Sequence, residues 1–251
     1  MKPAQSLSIP PSLAELASEG KFALFLDFDG TLVDIAPSPD AIRVAPGMAK
    51  ALERLALDLD GRLALVSGRS LGDLHRHLGP VRVACAGSHG IERVNAHGTP
   101  VGAAPQPFQE DVLVAMRDFA RSHDGMGFEP KQFGAALHFR ARPEMGPLAI
   151  AFAEEIAGQA GLALKHGSCV VEVLHHGADK SAAVKAFMQL SPFQSASPIF
   201  VGDDLTDEDG FQAARRMGGF GVLVGNRTTT GAQFRLTGPR DVHQWLGFSN
   251  Q

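Results

Sequence analysis

A chain of 251 residues, 44% hydrophobic and 20% charged, has the make-up of a globular protein: one large domain, or a core with a smaller companion. Its net charge of -4, with lysines and arginines scattered along it, excludes the electrostatic footprint of a nucleic-acid or anionic-membrane binder. Two far-separated cysteines in apolar contexts, Cys85 and Cys169, exclude a disulfide scaffold and a cysteine zinc site.

Met1 to Ser12 lacks the apolar core of a signal peptide, and no run approaches the roughly 18 apolar residues of a membrane span. The expected location is the cytoplasm. Ser12 and Glu15 have capping-box spacing, so a short helix up to Gly20 is predicted. Phe22 to Leu26 is an unbroken apolar run, read as a strand buried on both faces. It runs into Asp27-Phe28-Asp29-Gly30-Thr31-Leu32. Residues two apart on a strand point the same way, so Asp27 and Asp29 are expected to face the same ligand. A proline-rich loop follows (Pro37, Pro39, Pro46). A helix is expected over Gly47 to Leu59, and a second buried strand over Arg62 to Val66, ending at Ser67-Gly68-Arg69. Ser70 caps a helix with Leu71, Leu74 and Leu78 inside. Val81 to Ala86 reads as a third strand, running into Gly87-Ser88-His89-Gly90-Ile91-Glu92. This rhythm of strand and helix predicts a parallel sheet with helices on its faces and a ligand site beyond the carboxyl ends of its strands.

The rhythm breaks after Asn95. A Gly-, Ala- and Pro-rich stretch to Pro107 reads as a linker. A helix (Phe108 to His123), two strands (Gly125 to Lys131, Ala135 to Arg140), a helix (Pro147 to Ala160) and two more strands (Leu162 to His166, Ser168 to Leu174) follow. This αββαββ unit is read as an inserted α+β domain over 103–176, between core segments 1–102 and 177–251. From Gly177 the first pattern resumes, with a helix from Asp179 to Leu190. A strand over Pro198 to Val201 ends at Gly202-Asp203-Asp204. Thr206 and Asp209 are read as capping a helix that holds Phe211, Ala214 and Met217. A strand over Phe220 to Val224 and a loop over Gly225 to Leu236 precede a last helix capped by Asp241 and carrying Trp245.

Asp27, Asp29 and Asp203 make an all-oxygen ligand set suited to Mg²⁺ rather than zinc. Asp204 and Asp207 are expected to back these ligands up. Mg²⁺ held by few carboxylates usually shares a phosphate. Ser67 and Gly68 at a strand end and Lys180 at a helix start are the expected phosphate contacts. Asp27 is then the nucleophile that forms an aspartyl-phosphate, and Asp29 the general acid and base.

These four stretches resemble the motifs of the haloacid-dehalogenase superfamily, and Asp at the second acidic position points to its phosphatases and mutases. Leu65-Val66-Ser67-Gly68-Arg69-Ser70, the Gly87 to Glu92 stretch and Gly202-Asp203-Asp204-Leu205-Thr206-Asp207-Glu208-Asp209 resemble trehalose-6-phosphate phosphatases. So do Glu129, Lys131, Leu137-His138-x-Arg140 and Val171-Glu172-Val173. The resemblance runs from about Phe22 to Val224. It implies a Rossmann-like α/β core, Mg²⁺, a sugar-phosphate substrate and an insert that caps the sugar; the chain is expected to be a monomer. On this likeness Arg69, Ser88, His89, Glu129, Lys131, His138, Arg140 and Glu172 are the expected substrate contacts. Glu129 with Lys131, and His138 with Arg140, are each expected on one strand face. Two positions depart from the family: Leu174-His175 stands where a basic residue and proline are common, and Ser181 where glycine is. Two readings stand beside the first. One is a phosphatase for another sugar or polyol phosphate. The other is a sugar-phosphate-binding protein without turnover, which has no need of both Asp27 and Asp29.

Overall fold

The structure, a computed structural model, describes residues 7–36 and 41–248. Pro37 and Pro39 of the expected loop, and Met1 to Ser6 at the amino end, lie outside the described residues. In chain order the helices are α1 Leu13–Glu19, α2 Met48–Asp58, α3 Leu71–Leu78, α4 Glu110–Arg121, α5 Gly146–Ala160, α6 Lys180–Met188, α7 Glu208–Arg216 and α8 Pro239–Trp245. The strands are β1 Phe22–Leu26, β2 Leu63–Val66, β3 Ala84–Gly87, β4 Glu92–Val94, β5 Gly127–Lys131, β6 Gly134–His138, β7 Ala163–Gly167, β8 Val170–Leu174, β9 Ser197–Gly202, β10 Phe220–Val224 and β11 Phe234–Leu236. Contacts divide the chain into two units, Met1–Ala104 with Asp179–Gln251, and Pro105–Ala178.

In the first unit one sheet has the order β11-β10-β9-β1-β2-β3-β4. All neighbours are parallel except β4, which runs antiparallel to β3. Alternate residues of β1 explain its unbroken apolar run. Leu24 and Leu26 pack on one face with Leu52, Leu74 and Val242, from α2, α3 and α8. Ala23 and Phe25 pack on the other with Val184, Phe187 and Phe211, from α6 and α7. A strand covered on both faces has no polar side to show. From β1 the chain winds outward through β2 to β3, and from β9 outward through β10 to β11. The winding direction reverses between β1 and β9, and the crevice beyond such a reversal is where α/β sheets bind ligands.

Several expectations need correction. The third strand begins at Ala84, not Val81, because its partner β2 starts only at Leu63. Arg82 instead donates its backbone N–H to Glu53 Oε1 (2.8 Å). Thr206 caps nothing here. Asp204 takes that role through Leu205 N (2.7 Å), opening a 3-10 turn that leads into α7. Met217 ends α7 rather than lying inside it and is 39% exposed. Asp241 sits in the first turn of α8, where its carboxylate accepts from Thr237 N (3.1 Å) and from the Thr237 hydroxyl. The expected loop ends in a strand, β11. Trp245 packs as expected and donates to Pro11 O (2.8 Å).

The second unit is a four-stranded antiparallel sheet of order β5-β6-β8-β7 with α4 and α5. Ala135, Leu137, Val171 and Val173 face Val112, Met116, Ala149 and Ala153 of those helices. Strand alternation therefore turns Glu129, Lys131, Ala136, His138 and Glu172 to the opposite face. No helix among the described residues is long and apolar enough to cross a membrane.

Candidate active site

β1 and β9 are neighbours with Leu26 opposite Val201, and Asp27 N continues the ladder by donating to Val201 O (2.9 Å). Asp27 and Asp203 therefore leave the sheet side by side at the reversal. Carboxylate oxygens of Asp27, Asp203 and Asp207 lie within 4.8 Å of one another. Lys180 opens α6, whose cap is Asp179, accepting from Ala182 N (2.8 Å). Its ammonium donates to Asp27 Oδ1 (2.7 Å) and Asp207 Oδ1 (2.5 Å). The remaining oxygen of Asp207, Oδ2, accepts from Asp204 N (2.9 Å). Asp207 thus belongs to the cluster itself, not to the layer behind it. Asp204 is exposed and serves the turn.

One ammonium cannot balance three carboxylates in a buried place. Burial pushes Asp27 well above the ordinary carboxylate range; Lys180 draws it back down, and the nearby Asp207 and Asp203 push in the same direction as burial. Burial, then the charges of Asp207 and Asp204, raise Asp203 to about 7. A divalent cation would favour the ionised form of both. The donors are all carboxylate oxygens, so the set fits Mg²⁺ and not zinc.

Two glycines make the room. A Cβ on Gly30, whose φ is +75°, would overlap the Asp203 carboxylate. A Cβ on Gly202 would overlap that of Asp207. Gly218 has a similar φ of +84° with nothing near a Cβ. Gly30→Ala and Gly218→Ala share a backbone strain of about 1–2 kcal/mol. Only Gly30→Ala should also lose turnover, by roughly 100-fold, as an ångström of misplacement does. Equal activity losses in the two variants would show that the space beside Asp203 is not needed.

Asp29 does not join the cluster, contrary to its expected ligand role. β1 ends at Leu26 and the chain bends, so strand alternation no longer governs Asp29. Both its oxygens accept from Arg69, from Nε (2.6 Å) and Nη2 (2.8 Å). Arg69 therefore holds a carboxylate where a substrate contact was expected. Ser67 is buried at the end of β2, its N–H on Ala86 O (2.9 Å) and its Oγ accepting from Arg69 N (3.1 Å). Gly68 follows it, with the His89 ring packed against it. The Ser88 hydroxyl, expected on substrate, donates to Glu92 Oε2 (2.7 Å). The same oxygen accepts from Leu71 N (3.2 Å), so this pair secures the first turn of α3.

In the second unit Lys131 pairs with Glu172, and His138 Nε2 with Glu129 Oε2 (2.8 Å). The His138 hydrogen bond holds Glu129 below its ordinary range, against burial. Arg140 is not on the sheet. β6 ends at His138, Phe139 N donates to Cys169 O (2.9 Å), and Arg140 is exposed in the turn beyond. Lys165 was missed: β7 pairs with β8 so that Lys165 stands opposite Glu172, on the same face. Only the register of the hairpin could have revealed it.

A family model described as trehalose-phosphatase matches residues 25–240. The trehalose-6-phosphate phosphatase of Escherichia coli (strain K12) is 40% identical over 228 residues, covering 90% of this chain and 85% of that protein. The C-terminal domain of a trehalose-6-phosphate phosphatase from C. albicans superposes with a TM-score of 0.77 at 23% identity, covering 96% of this chain and 97% of that one. BT1666 from Bacteroides thetaiotaomicron, a phosphatase of the haloalkanoate (HAD) enzyme superfamily, superposes with a TM-score of 0.61 at 17% identity, covering 98% and 96%. These two structures are similar in fold.

Proposed function

This chain belongs to the trehalose-phosphatase family, and from that membership we propose that it hydrolyses trehalose 6-phosphate to trehalose and phosphate through an aspartyl-phosphate. The observation that carries the chemistry is the cluster of Asp27, Asp203 and Asp207 with Lys180 between two of its members. Asp27, Asp203 and Asp207 would hold Mg²⁺, which when bound supplies positive charge for the phosphoryl oxygens. Lys180 and Ser67 orient the phosphate. Asp27 attacks phosphorus, a bond from its carboxylate oxygen forms, and the bond to the sugar oxygen breaks. Asp29 gives that oxygen its proton and leaves as carboxylate. It then takes a proton from water, whose oxygen attacks the aspartyl-phosphate and frees Asp27 and inorganic phosphate.

The test is phosphate release from a panel of sugar phosphates, with Mg²⁺ and after chelation. Trehalose 6-phosphate should be turned over best, and chelation should stop the reaction. Equal turnover of glucose 6-phosphate would end the substrate claim. Turnover that survives chelation would end the metal claim.

Glu129, Lys131, His138 and Glu172 form one face of charged donors and acceptors, which suits a disaccharide's many hydroxyls. We assign sugar recognition to this face. Lys131→Ala should lower kcat/KM for trehalose 6-phosphate by roughly 10- to 100-fold, the worth of a charged hydrogen bond. It should leave glucose 6-phosphate hydrolysis nearly unchanged; an equal loss on both substrates would withdraw the assignment. One observation favours a related sugar phosphate instead. Leu174, where the family has a cation, is buried, and His175 packs edge-on to Phe108 with ring centres 5.6 Å apart. The same panel decides between the two. Both cysteines are free thiols, and the cytoplasm is the compartment we propose.

A further inference from the structure

Arg69 is a junction rather than a single contact. Two of its nitrogens hold the two oxygens of Asp29, at 2.6 and 2.8 Å, and Nη1 donates to Asp73 Oδ2 at 2.5 Å. Its side chain is 10% exposed, whereas that of Asp29 is 35% exposed and reaches solvent from this anchor. Burial works against the guanidinium charge, but Asp29 and Asp73 together hold it above its ordinary value. Asp73 is itself fixed. It lies in the first turn of α3, its N–H donates to Ser70 Oγ (3.1 Å), and its other oxygen accepts from Arg76. Orientation thus passes from a helix terminus through Asp73 to Arg69 and on to Asp29.

Asp29 needs such a hold. It stands past the end of β1 and the bend at Phe28, in an isolated bridge to Val33 that pairs its backbone and leaves its side chain to be oriented by other groups. A fork of two parallel N–H bonds sets both position and plane of a carboxylate. It occupies one lone pair on each oxygen and leaves another on each for proton transfer.

We propose that Arg69 and Asp73 are positioning residues that set the acid–base carboxylate Asp29, and that neither binds substrate. This inference rests on the proposed phosphatase reaction, in which Asp29 moves the protons. Arg69→Lys keeps a charge but loses the fork. Asp73→Asn keeps the shape but lets the fork swing.

The experiment compares both variants with wild type on whichever sugar phosphate the wild type hydrolyses fastest, so failure of the wild type on trehalose 6-phosphate reports on the substrate claim alone. Thermal melts check that each variant is folded; Arg69→Lys carries the test if Asp73→Asn destabilises α3. The expected result is a kcat lowered roughly 10- to 100-fold with KM unchanged, and recovery of part of the loss in Asp73→Glu. A second reading uses p-nitrophenyl phosphate, whose leaving group departs without a proton. The first-turnover burst of nitrophenolate should survive in both variants while later turnovers slow, because water attack still needs Asp29. A raised KM with unchanged kcat would make Arg69 and Asp73 substrate contacts and overturn the proposal. Unchanged kcat and KM would overturn it too, as would a burst lost together with steady-state turnover.

Discussion

Replacing Asp27 with Asn is expected to abolish turnover and leave the fold standing. The rate should fall by on the order of 10⁴-fold or more, as when a covalent nucleophile is removed. An amide oxygen cannot form the aspartyl-phosphate, so no phosphoryl label should be trapped on the protein. Stability should move the other way. Burial already disfavours the Asp27 charge, and Asp203 and Asp207 crowd it with more of the same sign. Asn keeps the shape and an acceptor for Lys180, which retains Asp207 as its ion partner. Metal-free Asp27→Asn should therefore melt no lower than metal-free wild type. Residual turnover at a tenth of the wild-type rate would remove Asp27 from the nucleophile role. A large drop in melting temperature would show that the cluster is not overcharged.

The carboxylates were legible because they stand where a sequence gives most away. An acid after a run of buried apolar residues is out of place unless something holds it, and Asp27 and Asp203 both follow such runs. The helix start at Lys180 was legible from Asp179 as its cap. What was not legible is where each side chain turns once the strand has ended. Asp29 was grouped with Asp27 by strand alternation, but the strand stops at Leu26 and the bend hands Asp29 to Arg69. Asp207 was hidden among acids that all suit a helix start. Only the 3-10 turn after β9 separates Asp204, on the outside, from Asp207, fully buried against Lys180.

The same reason covers the remaining misses. β4 and β11 are three residues each at the two edges of the sheet, too short to show a period. Ser88 was an expected substrate contact on its family resemblance, in a loop at the binding end of the sheet, and Glu92 carried no expected role. The bond of Ser88 to Glu92, and of Glu92 to the amino end of α3, becomes visible only when β3 and α3 are placed together. Arg140 was placed on the sheet by counting two from His138, and the strand ends before it. Composition and periodicity thus reach the elements and their sequence of acids, while side-chain pairing depends on register and on the turns past each strand.

Lys180→Met is expected to cost about 3–5 kcal/mol, the usual penalty for breaking a buried pair from one side. Met fills the same space without the charge. Asp27 and Asp207 would then face each other with Asp203 nearby and no cation. Burial pushes the Lys180 ammonium down, and the charges of Asp207 and Asp27 more than offset this, so it sits above its ordinary value. A raised lysine contributes stability that is complete below its unfolded value and is lost only as pH rises through the folded one. The pairing contribution of Lys180 is therefore intact at about pH 9, and the deficit of the variant there should be no smaller than at pH 8. Adding Asp207→Asn to Lys180→Met should recover part of the loss, since Asn still accepts from Asp204 N and removes one charge. Mg²⁺ should stabilise Lys180→Met more than wild type, because a cation then supplies the only counter-charge the three carboxylates have. Denaturant midpoints at both pH values, with and without Mg²⁺, check all three statements. A variant as stable as wild type in the absence of metal would mean that Lys180 does not hold the cluster together.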